Sequence, residues 1–136
     1  MAGFLKAVST VCVAGVTYLL GGWDSVLQIL LVMVVIDYIT GLTGALINKN
    51  VSSSIGFRGI VKKVFIFIMV MLSVQVDKML GQTNVIRQVV CLFYITNEGI
   101  SVLENMALAG LPLPEFLKNL LIQIRDASNK GEKVAK

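Results

Sequence analysis

A chain of 136 residues with 56% hydrophobic residues, 15% charged residues and a formal net charge of +4 reaches a mean hydropathy of +0.83, too apolar for a soluble domain of this size. Four apolar stretches of about 20 residues each use up most of the length and leave no room for a catalytic domain outside a membrane. Histidine, the commonest general base and metal ligand, is absent, so the chain is expected to be no enzyme and to hold no cofactor or metal.

The first stretch, residues 7–22 (AVSTVCVAGVTYLLGG), follows Lys6 and ends at Trp23. It is short for a span, but no convincing cleavage site follows, and Trp23 suits an interfacial anchor. A retained membrane helix is therefore expected rather than a cleaved signal. Cys12 and Cys91 sit in apolar stretches without ligand spacing and read as buried apolar residues. Segment two, residues 25–47, carries Asp37 near its middle. The connection to segment three holds Lys49, Arg58, Lys62 and Lys63, and one serine of Ser52–Ser54 is placed to cap a short helix leading onward. Its glycines lack phosphate-loop spacing. Segment three, residues 60–80, includes Gln75 and Asp77, and segment four, residues 85–110, includes Asn97, Glu98, Glu104 and Asn105.

Pro112 and Pro114 end the fourth helix. Residues 113–128 then read as an interfacial amphipathic helix, with Phe116, Leu117, Leu120, Leu121 and Ile124 on one face and Lys118, Asn119, Gln123, Arg125 and Asp126 largely on the other. Residues 129–136 read as a basic, disordered tail. A membrane surface accounts for its charge, so no nucleic acid is expected as a partner. The architecture implied is all-α: a multi-pass transmembrane domain over residues 1–112, with four segments, followed by the amphipathic helix. Four spans with both termini in the cytoplasm place ten of the twelve basic residues inside, as the positive-inside rule requires. Three spans would move only the N-terminus outside. Lys49, Arg58, Lys62, Lys63, Lys118 and Arg125 are the candidate contacts to lipid headgroups.

A carboxylate among lipid tails costs roughly 2.5–3.5 kcal/mol on insertion scales, so such groups face other helices or water. In segment two, Asp37, Gly41, Gly44 and Asn48 share one helix face, with Thr40 at its border. In segment four, Asn97, Ser101, Glu104 and Asn105 share another, flanked by Glu98. Small residues allow close helix approach and polar ones bond across it. The stripes either pack inside one subunit or line a contact or water path between subunits. By depth, Lys62 and Lys63 fall near Asn48, and Arg87 near Asp77, so Asp37 and Glu98 are expected to lack a basic partner. They would be protonated, hydrated, or hydrogen-bonded to Asn97, Asn105 or Thr40. Two unpaired carboxylates are hard to satisfy in a monomer, which favours a homo-oligomer.

Three strings, IDYITGLTGALINKN, SSSIGFRGIVKK and NEGISVLENMALAGLPLPEFL, together span most of residues 36–117. On these the chain resembles the toxin-secretion and phage-lysis holin family. The resemblance implies a bacterial cytoplasmic-membrane protein that assembles with itself and opens large, non-specific lesions. Endolysin, or a large toxin, then leaves the cytoplasm, with no direct binding to this protein required. The family supplies no ligand or catalytic residues to carry over. The rival from the residues alone is a small ion-coupled transporter or narrow channel, although no inverted repeat supports it. A third reading is an anchoring subunit with structural polar contacts.

Overall fold

The computed structural model describes residues 1–81, 83–120, 122, 123 and 126, and every regular element among them is a helix. Four are long: α1 (Ala2–Leu19), α2 (Ser25–Ile47), α3 (Ser53–Met79) and α4 (Val85–Leu108). Helices α1, α2 and α3 are long and apolar enough to cross a membrane. With 24 residues, α4 would reach about 36 Å at 1.5 Å per residue, but its composition does not meet the same apolar standard. Arg87, Glu98 and Glu104 all lie within it.

Local chemistry sets the helix ends. Asp24 accepts a hydrogen bond from the backbone N–H of Leu27 at 3.0 Å and caps α2. Ser52 does the same for α3 through Ile55 at 3.3 Å. The cap starts no separate short helix. One continuous helix runs from Ser53, seven residues ahead of the expected segment. For α4 the cap comes from another element: the Asp77 carboxylate, on α3, accepts from the N–H groups of Ile86 (3.0 Å) and Arg87 (2.8 Å). These are donors that a helix start leaves without partners. At the end of α1, Gly21 and Gly22 adopt φ of +82° and +105°, the left-handed region that glycine enters at little cost.

Contacts between the helices fix their directions. Asp24 meets Arg87, Asp37 meets Asn105, and Asn48 reaches the Leu108 carbonyl, so α2 and α4 run parallel. Asp77 near Arg87 and Lys63 near Glu98 make α3 antiparallel to both. Helix α4 packs along α2 and, less extensively, α3, whereas α2 and α3 touch only thinly. The apolar core lies toward the Arg87 end. It is built from Leu20, Leu27, Leu30, Val34, Ile66, Val70 and Cys91, with Tyr94 and Phe67 packed against it.

Helix α1 buries none of its residues. Cys12, expected to be buried, is exposed on it, because α1 packs along no other helix. Cys91 is buried in the core. Beyond α4, residues 115–120 form helical turns with Phe116 exposed and Leu117 half-buried. Leu121, Ile124, Arg125 and residues 129–136 lie outside the described residues, and with them much of the expected amphipathic face and the basic tail.

Candidate functional site

Where the apolar core stops, α2 and α3 stand apart on either side of α4. The space between them is an open cleft of ≈ 850 Å³. Asp37 and Gly41 on α2, Lys62 and Lys63 on α3, and Asn97, Glu98, Ser101, Glu104 and Asn105 on α4 all line it. The two polar stripes thus face each other within a single chain. At the mouth, Tyr38 lies over Gly56 and Gly59, where an added Cβ would sit 3.7 Å and 3.4 Å from its ring atoms or hydroxyl.

The expectation that the carboxylates lack a basic partner is wrong. Lys63 Nζ pairs with both Asp37 and Glu98, and the three side chains are only 16%, 10% and 7% exposed. Because α3 begins at Ser53, Lys63 lies ten residues inside it, about 15 Å along its axis. It is therefore level with Asp37 and not with Asn48. Paired within one subunit, Asp37 and Glu98 do not require a second copy to satisfy them. The pairing also sets Lys63 apart from the other cations proposed for headgroups.

Asn105 completes the polar layer. Its amide donates to the Asp37 carboxylate at 2.9 Å, to the Asp37 carbonyl at 3.2 Å and to Thr40 Oγ1 at 3.1 Å. Thr40 in turn donates to the Ile36 carbonyl at 2.9 Å. Gly41 makes room for this: a Cβ there would lie 3.3 Å from Asn105 Nδ2. Gly44 is buried against the same helix, and Asn48 donates to the Gly44 carbonyl at 2.9 Å and to the Leu108 carbonyl at 3.4 Å. Lys49, Arg58 and Lys62 are exposed around the loop end of the cleft. Lys118 is exposed and pairs with Glu115 at 2.9 Å. Arg125 lies outside the described residues.

Two features of the site differ from what the sequence suggests. The first is Lys63 as a partner, which has a readable signal: Asp37 and Lys63 each stand thirteen residues from Asn50 in the α2–α3 connection. An antiparallel hairpin brings such positions to one depth. The second is Arg87, fully buried. Its guanidinium donates to the Leu20 carbonyl at 2.6 Å, to the Gly22 carbonyl at 3.2 Å and, through two nitrogens, to Asp24 at 2.6 and 3.0 Å. Arg87 does lie beside Asp77, and the hydrogen bond between them is made by the Arg87 backbone N–H. The Arg87 guanidinium holds the Asp24 carboxyl below the usual aspartate value. No signal along the chain links residues 20–24 to 87. Among the described residues, no three His, Cys, Asp or Glu side chains converge as a metal site would need.

Three helices of membrane length, together with a charged cleft where α4 joins two of them, define a small all-helical membrane protein. The sequence model of the bacteriophage holin family matches residues 14–126, and the chain belongs to that family. A probable holin of Bacillus phage phi105 is 34% identical over 108 residues, covering 79% of this chain and 80% of its own length. An uncharacterized protein of Halalkalibacterium halodurans is 39% identical over 135 residues, covering 96% and 100% respectively. The uncharacterized 14.9 kDa protein in the nagH 3' region of Clostridium perfringens is 42% identical over 111 residues, covering 81% and 84%. No solved structure matches significantly. Family membership implies membrane association and self-assembly in general and points away from an enzyme.

Proposed function

We propose that this chain is a holin that assembles in the bacterial cytoplasmic membrane and opens non-specific lesions wide enough for endolysin, or a large toxin, to pass. The observation that carries the reading, beside the family, is a polar cleft between the helices of an otherwise apolar body. Asp37, Glu98 and Lys63 meet one another between helices whose outer faces show Ile36, Ile39, Val64, Ile68, Leu92 and Phe93 to the surroundings. In the resting subunit the charges are satisfied internally. At high density the subunits rearrange, and the faces bearing Asp37, Thr40, Gly41, Gly44 and Asn48, and Asn97, Glu98, Ser101, Glu104 and Asn105, line water instead. Hydration then replaces the pairing that lipid makes necessary.

Helix α4 acts as a fourth span. The charges that lower its hydropathy turn inward, with Arg87 0% and Glu98 5% exposed, while Val85, Val89, Leu92 and Phe93 face outward. Four spans return both termini to the cytoplasm, and the segment after Pro114 lies on that membrane surface with Lys118 at the headgroups. The test is timed induction in bacteria that also express a cytoplasmic endolysin. Abrupt, delayed lysis supports a holin. Slow ion leakage with endolysin retained would replace this reading by a narrow channel or ion-coupled transporter. Asp37→Leu leaves a neutral Lys63–Glu98 pair and is expected to delay or abolish lysis with insertion intact. Lysis on the usual schedule in that variant would make the cleft structural only.

A further inference from the structure

Charge counting around Lys63 leads further. Two carboxylates share one ammonium, so the cluster carries one net negative charge when all three groups are ionised. With one proton added it is neutral, and with two it carries one net positive charge. All three side chains are mostly buried between helices in an apolar body, where net charge of either sign is far costlier than in water. The singly protonated state is therefore the one that suits the intact cluster.

Other polar and titratable groups face the same cleft. Helix α2 adds only the neutral Tyr38 and Thr40, and α3 adds Lys62 at the exposed rim. Helix α4 adds Glu104 together with the neutral Asn97 and Asn105. Tyr94 of α4 lines the same cleft. Asn105 donates to Asp37 on the α2 side of Lys63.

We propose that Asp37, Lys63 and Glu98 form a proton-sensitive latch that joins α3 to α2 and α4 across the cleft, closed while the three share one proton and released when they hold none or two. Helices α2 and α3 touch only thinly elsewhere. Tyr38 over Gly56 and Gly59 is their contact near the loop, so breaking the Lys63 link frees the cleft walls to part. The latch draws on the pore reading only in naming the cleft as the part that opens.

The test uses the full chain in phosphatidylcholine–phosphatidylglycerol vesicles. Spin labels are attached at Leu46→Cys on α2 and Ile60→Cys on α3, both exposed positions, in a Cys12→Ser background; the fully buried Cys91 is left in place. The distance between labels is followed between about pH 4 and pH 10, the span of ordinary carboxylate and lysine titration. The expected profile is shortest at intermediate pH and widens on both sides. Glu98→Gln, or Asp37→Asn as an independent second variant, removes the widening on the alkaline side, because one carboxylate and one ammonium stay neutral together. A flat wild-type profile, or alkaline widening that survives in both variants, overturns the latch. A flat profile in a chain that still lyses cells leaves the pore reading standing. A titrating cleft in a chain that never releases endolysin overturns the pore reading and keeps the latch.

Discussion

Replacing Lys63 by methionine is the sharpest probe of how the three-helix body is held together. The substitution keeps most of the side-chain volume and removes the one cation shared by Asp37 and Glu98, whose side chains are 10% and 7% exposed. Removing one partner of a buried ion pair typically costs about 3–5 kcal/mol, because the remaining charge must be neutralised or wetted. Asn105 still donates to Asp37, so the lower end of that range, about 3 kcal/mol, is expected here, or roughly a hundredfold in the folded-to-unfolded ratio. The measurement is denaturant unfolding of the detergent-solubilised protein, read by loss of helical circular dichroism. A triple variant, Lys63→Met with Asp37→Asn and Glu98→Gln, removes charge from all three positions and is expected to recover most of the loss. If Lys63→Met lies within about 0.5 kcal/mol of wild type, the range of an ordinary surface change, the pairing does not hold the helices and the reasoning fails. It fails equally if the triple variant is no more stable than the single one.

The opposite end of the bundle supports three further expectations. Gly21→Ala places a Cβ 2.6 Å from Arg87 Nε in a residue with φ +82°, so it should destabilise by about 1–3 kcal/mol, and a melting curve unchanged from wild type would count against the close fit of Arg87 on this turn. Asp77→Ala takes the shared acceptor from the N–H groups of Ile86 and Arg87 and should cost about 1–2 kcal/mol, with faster amide exchange confined to the first turn of α4. The Asp24 carboxyl is held low chiefly by its hydrogen bonds to Arg87. Its contribution is therefore complete above the ordinary aspartate value, about 3.9, and is lost as pH falls through the lower value of the folded protein. Asp24→Asn should flatten that acid limb of the stability profile, and an unchanged limb would place the effect elsewhere.

Composition and periodicity alone determine that this chain is helical and apolar, that polar groups interrupt its long stretches, and that Asp37 and Glu98 belong to two defined stripes. Those features are local: each follows from residues within a few turns of one another along one helix. A serine cap within Ser52–Ser54 was also legible, but which serine and with what consequence was not. A cap fixes where α3 starts, and the start fixes the depth of every residue after it, so a shift of seven residues moves Lys63 from the loop to the level of Asp37. Which stripe faces which, and whether the acids are alone, depends on the parallel pairing of α2 with α4 and the antiparallel return of α3. Arg87 makes the same point more strongly: its partners Leu20, Gly22 and Asp24 stand more than sixty residues away. Hydropathy reports the cost of placing a charge in lipid but carries no information on the partner that offsets it. Only the packing of three helices in space decides that the charges that look most exposed to lipid in the sequence are those that the folded chain pairs with one another.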